Sequence, residues 1–588
     1  MGKEDEFVPY PVKEQLPGID YCITSPPPWH TTMLVGFQHY VIMLGTIVLI
    51  ATILVPQMGG GYEEKARVIQ SMLFVAGINT LLQVYFGTRL PVVIGGSFAY
   101  LIPTLSIILS RRYTYFIDPY ERFIYTMRAI QGALICASIF QLVVGYFGLW
   151  GVCIRFLSPV IAAPWVALSA LGLYYIAFPA LANCVEIGLP ALIILVLLFM
   201  YAPHGLNQGS FIFNRCAVLV TIIIVWIYAH ILTAAGAYNE RPPETQYSCR
   251  TDRAGIIWGS PWVRIPYPLQ WGRPYFYAGD AFAMIAASFV SLIEVVLISL
   301  ILFCACIKNS ETNNSTDINC SQSTGTFIAV QRFCSATFMP PSIFSRGIGW
   351  QVQNITLSIM NELFKTNISL ISSVLHLLKY AFCVSQGIAI MLDGLFGTAN
   401  GSAASVENSG FLAVTRVGSR RVIKISACFM IFFSIFAKFG AVIASIPIPL
   451  FFGIYCVLYA YAASAGIGLL QFCNINSLRN KFIIGFALIM GLSIPQFFRE
   501  YFIESGYGPM HTHARTFNDI VNVIFSSSAT VGAIIAYLLD WSHCYWDDTV
   551  RKDRGLHWFY KFRSYSSDAR CEEFYALPYS LSKYFPSY

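Results

Sequence analysis

The sequence predicts an all-α polytopic membrane protein, on three observations. Only 11% of the 588 residues are charged while 56% are hydrophobic, against roughly 25% charged in soluble domains. Apolar runs of about twenty residues, the length that crosses a bilayer as helix, recur along the chain. Two of these runs, 90–109 and 401–417, are interrupted by small and polar residues. Non-helical backbone at membrane depth is tolerated only where protein or a water-filled cavity surrounds it.

Residues 1–31 are polar and Pro-rich and hold no signal-peptide core, so the first span, 32–55, acts as its own insertion signal. MGKEDE also misses the myristoylation pattern, because Glu6 stands where Ser or Thr is needed. The first span carries Gln38-His39 among apolar neighbours, and a second follows at 69–87. In LPVVIGGSFAYLIPTLSIIL (90–109) the β-branched first half reads as a short strand. Gly95-Gly96-Ser97 is expected to break it, with a helix starting near Phe98. Such interruptions mark ligand sites in transporters, because half-helix N-termini offer unpaired N–H groups. Glycine is common in membrane helices, so the pair alone is a weak signal.

Further spans are expected at 128–149, 156–177, 188–203 and 216–236, then a loop at 237–278 rich in Pro, Arg and Trp. The next helix opens with Asp280, where a carboxylate suits the helix dipole. Glu294, fourteen residues on (294 − 280), lies about 21 Å along it, near the bilayer midplane. A carboxylate there is costly unless paired, protonated or bound to ligand. A structural tie to another helix is the competing reading.

The stretch GSAASVENSGFLAVTRVGSRRVIK (401–424) sets Glu407, Asn408, Thr415 and Arg416 among small residues. It reads as a polar loop between spans or as a functional segment, and an ionisable group at this depth favours the second. Spans at 421–446, 448–471, 481–497 and 519–540 follow, then a polar tail, 541–588. Lys438, inside the first of these, should snorkel or face a cavity. If the spans are numbered to fourteen, the two broken segments each fall third in a run of seven. That is the pattern of two related halves with a site where they meet, although no residue-level repeat is visible.

Other chemistry is not signalled. The 16 cysteines form no CxxC pair, and His511-x-His513 has no third ligand nearby and reads as loop. No nucleophile elbow, P-loop, zinc-protease or EF-hand pattern occurs. No enzyme chemistry, metal or cofactor is expected. The net charge of +7 fits basic loops at a membrane and does not suggest nucleic acid.

ENSGFLAVTR (407–416) resembles the signature of the nucleobase–ascorbate transporter family, in the xanthine/uracil permease superfamily. Gln38-His39, GGSFAY (95–100), SFVSLIE (288–294), VGSRRV (417–422) and FGAVIASIPIPL (439–450) are similar to that family too. CRTDRAG (249–255), KDRG (552–555) and EEFYALP (572–578) resemble its plant branch. The resemblance implies fourteen spans as seven-plus-seven inverted repeats, with short strands in broken spans 3 and 10. It implies a core domain of spans 1–4 (32–150) and 8–11 (279–446), and a gate or scaffold domain of spans 5–7 (151–236) and 12–14 (447–540). It implies an elevator-type symporter that takes a nucleobase such as xanthine, uric acid, adenine, guanine or uracil with a coupling ion, expected to be a proton. A plasma-membrane homodimer is implied, with the 237–278 loop outside and residues 1–31 and 541–588 in the cytosol.

Carried over by position, Glu294 and Glu407 are the substrate-gripping carboxylates. Ser97, Phe98 and Ala99 are the backbone and aromatic contacts. Asn408, Gly410, Thr415, Arg416, Gln38 and His39 organise the site or tune specificity. The chemistry is reasonable: a carboxylate takes ring N–H bonds at charge-assisted strength, and helix N-termini answer ring carbonyls. Glu407 stands where members with ascorbate activity tend to have Pro, which favours a nucleobase over the alternative, ascorbate.

Two segments depart from the family pattern, 295–322 and 352–386. Each begins with Val and ends with Gln, whose codons can supply the GT and CAG borders of an intron. Both are rich in Ile, Leu, Phe, Ser, Asn and Lys, as translated AT-rich DNA is. They are expected to be retained introns read in frame, with real loops as the competing reading. If they are translated, a transport-inactive homologue is a further alternative. The Arg420-Arg421-Lys424 cluster favours the cytosol, whereas Arg111, Arg112, Arg122 and Arg128 then fall outside, against the positive-inside tendency.

Overall fold

The computed structural model describes residues 19–113, 115–146, 158–201, 210–252, 261–292, 322–336, 343, 386–436, 438, 441–442, 446–505, 507–510, 512–513, 515–542, 548–555, 557 and 574–575. Glu294 and His511 lie outside the described residues, as do 295–321 and 352–385 of the two departing segments.

The first half supplies α1 (Trp29–Met58), α2 (Tyr62–Tyr85), β1 (Ile94–Gly96), α3 (Leu101–Ile108), α4 (Pro119–Tyr146), α5 (Pro159–Leu171), α6 (Tyr174–Ala182), α7 (Val185–Val196) and α8 (Ser210–Ala234). A short α9 (Pro243–Cys249) lies in the loop. The second half supplies α10 (Ala278–Leu292), α11 (Gln322–Phe333), α12 (Gln386–Phe396), β2 (Ser402–Ala404), α13 (Val406–Thr415), α14 (Arg420–Ile435), α15 (Ile448–Gly468), α16 (Leu478–Ser505), α17 (Arg515–Phe525) and α18 (Ser528–Ser542), then α19 (Asp548–Asp553).

Among the described residues, seven helices are long and apolar enough to cross a membrane by themselves, or eight if bent α17–α18 is one span. That count takes α5 with α6 as one helix, Pro159–Ala182, and the others are shorter apolar helices. Grouping β1 with α3, α5 with α6, α10 with α11, β2 with α13, and α17 with α18 gives fourteen successive apolar segments. Local chemistry sets many of the ends. Gly59, at φ 95°, closes α1 in the left-handed conformation. Glu64 reaches back to the Gly61 N–H at 2.9 Å to start α2. Pro159 follows Ser158 at the start of α5, where a missing N–H costs nothing.

The two strands pair antiparallel, with Ile94 opposite Ala404, Gly95 opposite Ala403 and Gly96 opposite Ser402. The ladder continues through Ser405 N–H to Val93 O (3.0 Å) and Ser97 N–H to Gly401 O (3.1 Å). The other edge of β1 is closed by α2: Thr80 Oγ1 donates to Ile94 O and accepts from Ile94 N–H. The expectation that Gly95-Gly96 ends the strand is therefore corrected, since both glycines lie in it. Without a side chain, Gly95 lets the flexible Met43 side chain approach: a Cβ there would sit 2.1 Å from Met43 Cε.

Around this ribbon α1, α2 and α14 pack together, and α4 packs on α10 and α12. A second group forms where α15 packs on α5, α6 and α7, and α16 on α18. The groups meet where α13 crosses α15 and α10 crosses α17.

Two of the four arginines expected outside, Arg112 and Arg128, are bound by protein groups. Arg112 pairs with buried Asp280 at 3.1 Å, and Arg128 Nε donates to Trp271 O at 2.8 Å in the 237–278 loop. Lys438 lies 5.5 Å from the centre of the Trp262 ring, so it reaches out to the loop. A disulfide, Cys184–Cys249, ties the start of α7 to the end of α9. The polar tail is partly anchored: Arg554 and Arg479 converge on fully buried Asp540, and Phe574-Tyr575 are buried.

Candidate substrate site at the broken spans

Where β1 and β2 end, two short helical segments begin. Each is capped by a serine. Ser97 Oγ accepts from Ala99 N–H at 3.2 Å, and Ser405 Oγ accepts from Asn408 N–H at 3.2 Å. The caps satisfy one donor each, and the first turns hold others that no helix carbonyl can reach. Asn400 Nδ2 donates to Ser97 O at 2.9 Å and locks the two breaks together.

Glu407, in the first turn of α13, is 3% exposed. Its carboxylate accepts from Ser405 Oγ at 2.7 Å and from Tyr459 Oη at 3.0 Å. Ser405 Oγ also accepts from Asn408 Nδ2 at 2.9 Å. That bond orients the amide, so Asn408 Oδ1 faces His39 Nδ1 at 2.8 Å and must accept its proton. A buried chain of hydrogen bonds thus runs from His39 through Asn408 and Ser405 to Glu407, with Tyr459 closing the far end. His39 Nε2 has no hydrogen-bond partner among the described residues. Phe411 holds the imidazole edge-on, with ring centres 4.8 Å apart.

The other predicted residues divide. Phe98 and Ala99 line a cavity against α5, α16 and α18. Gly410 lies where α13 crosses α15; a Cβ there would be 2.0 Å from Leu458 O. Gln38 is turned toward α8, where it donates to Arg215 O (2.8 Å) and accepts from Leu219 N–H (3.2 Å). Thr415 bonds its own helix at Phe411 O, 3.0 Å away. Arg416 is exposed and caps α13 at φ 54°, its carbonyl accepting from Asp20 N–H. These last two sit about 12 Å along the helix from Glu407 and bond at their own end of it, so the structure does not bring them to the carboxylate.

Several members of the cluster escaped the sequence reading. Tyr459 and Tyr455 sit one turn apart on α15, and Tyr455 Oη donates to Ile42 O at 2.6 Å. Asp393 on α12 is buried and accepts from Thr398 Oγ1 at 3.3 Å. An acid in the apolar run GIAIMLDGLFG was a usable signal. The tyrosines carried none.

The chain matches the sequence profile described as Permease family over residues 30–347 and 375–500. The interruption falls largely inside the second departing segment. The nucleobase-ascorbate transporter LPE1 of Zea mays is 59% identical over 585 residues, with 100% of this chain and 99% of the relative covered. Nucleobase-ascorbate transporter 4 of Arabidopsis thaliana is 56% identical over 586 residues, with 100% and 99% covered. With its apolar helices, broken-span ribbon and full-length likeness to these proteins, the chain belongs to the nucleobase–ascorbate transporter family, as a plant-type member.

Proposed function

We propose that the protein is a secondary active transporter of nucleobases, driven by proton symport. The observation that carries this is the buried chain His39–Asn408–Ser405–Glu407–Tyr459 at the start of a half-helix. A carboxylate held by two hydroxyl donors is preset to accept ring N–H bonds, and it changes partners when it takes a proton. Glu294 is its intended counterpart across the ring, and a proton shared between the two carboxylates would couple uptake to the gradient. Phe98 offers a face for stacking. A core of spans 1–4 and 8–11 that slides against the remaining spans is the elevator reading, and the homodimer belongs to it.

The Cys184–Cys249 disulfide supports an outer position for the 237–278 loop, since disulfides persist on the oxidising side. With an even number of spans, both termini are then cytosolic, at the plasma membrane. Uptake of labelled xanthine, uric acid, adenine and uracil at pH 5 to 8, with and without sodium, tests the proposal. Uptake that ignores pH and follows sodium overturns proton coupling, and no uptake of any base overturns the substrate class. Ascorbate is the second reading, carried by the names of the relatives. Competition between labelled xanthine and ascorbate separates the two.

A further inference from the structure

Arg499 on α16 is buried, 8% exposed. Its Nε donates to Pro495 O at 3.0 Å, and its guanidinium lies 3.6 Å from the centre of the Tyr175 ring. Its Nη2 has no hydrogen-bond partner among the described residues. No carboxylate pairs with it among the described residues. Ser528, the first residue of α18, is 6% exposed, and its hydroxyl also has no hydrogen-bond partner among the described residues. Both residues line one cavity with Phe98, Ala99, Tyr175 and Ser526. Unpaired polar groups in a protein interior are expensive. Two around one cavity, one of them a cation, mark a place built for something that arrives.

The chemistry of that something follows from the walls. Arginine offers only donors, and a serine hydroxyl donates readily. The missing partner therefore presents oxygen acceptors, and the positive charge favours one with anionic character. Tyr175 stacks on Arg499 and holds it in place, and Phe98 offers an aromatic face that suits a flat body. We propose that this cavity is a second substrate subsite, which takes the oxygen edge of a planar oxo-substituted ring. An oxopurine anion and the enolate of a ring lactone share that chemistry. An aminopurine does not, because its exocyclic N–H₂ would face the Arg499 N–H groups and leave both unpaired. The subsite rests on the transport reading above and adds a selectivity to it. Phe98 and Ala99 belong to both places, so a ring seated against Arg499 is already beside the half-helix start.

The test uses the full-length chain in yeast lacking its own purine uptake, with surface amounts of each variant matched. Arg499→Gln should raise KM for uric acid and xanthine by about tenfold, the loss of one charge-assisted hydrogen bond. KM for adenine should stay within about twofold. Arg499→Lys should fall between, since it keeps the charge but loses the planar fork. Ser528→Ala should move the same substrates less. Ascorbate measured alongside shows whether the lactone shares the subsite. Equal changes in KM for oxo- and amino-purines, or a fall in kcat alone, mean a structural arginine and overturn the proposal. If the unmodified chain takes up neither base nor ascorbate, the transport reading fails by itself. Uric acid binding to the purified full chain, compared with Arg499→Gln, then decides the subsite: equal affinity overturns it.

Discussion

Glu407 is held by Ser405 and Tyr459, donors from two helices that meet at the site. Glu407→Gln keeps the shape but removes the charge, and hydrogen bonds to charged groups contribute about 1.5–3 kcal/mol. Uptake (kcat/KM) should therefore fall by roughly ten- to a hundredfold, and Glu407→Ala should abolish it; wild-type rates in both variants would remove Glu407 from the site. Asn408→Ala breaks the chain at its centre, and should cost uptake without moving the amount of protein at the surface. Sequence reading found Glu407, Asn408 and His39 because charged and amide groups are conspicuous in apolar runs. It missed Tyr459 and Ser405, which are unremarkable residue types in a membrane helix until a neighbour gives them a role. Thr415 and Arg416 show the converse: part of one motif on paper, they lie a helix length away from Glu407.

At the scale of the element, the broken spans were legible and their inner geometry was not. Small residues at Gly95-Gly96 and Gly401–Ser405 announced the breaks. Nothing local said that the glycines would lie inside a strand, because the reason is Met43 of another helix. Gly410 is a similar case. It permits α13 to rest on the backbone of α15, so Gly410→Ala should destabilise the protein by about 1–3 kcal/mol through overpacking. Thermal unfolding of the detergent-solubilised protein reads this, and an unchanged midpoint would show that the crossing has slack. The end of the second helix group where α18 stops holds a different device. Asp540 accepts from Arg479, Arg554 and Ser158 while fully buried. Asp540→Asn leaves two arginines without their counter-charge and should cost about 3–5 kcal/mol. The same melting experiment should show it, together with release of the 548–555 segment to protease.

For the whole molecule, the count of fourteen spans came from the family resemblance, while the place and order of most spans came from hydropathy, which the bilayer imposes on every helix. The pairing of Cys184 with Cys249 could not come from there. Sixteen scattered cysteines allow many partners, and only the fold brings these two together, with Cα atoms 5.6 Å apart. In Cys184→Ser, Cys249 should react from outside intact cells with a membrane-impermeant maleimide, and stability should drop by about 2–4 kcal/mol. Labelling only after permeabilisation would invert the topology. The departing segments bear on the same scale. The first lies between α10 and α11, helices that touch each other. A chain lacking 295–322 and 352–386 should show higher uptake and surface amount than the full chain, and mature messenger RNA should lack both. Transcripts that mostly encode them would make them real loops.

The ribbon also sets a timetable. Ser97 and its partner Asn400 are 303 residues apart. At about 5–20 residues per second of synthesis, β1 waits roughly 15–60 s for β2. During that time Thr80 can satisfy only the groups of Ile94. The nascent chain must shelter the other edge, so the first half of this protein enters the membrane as an unfinished object that only its second half can seal.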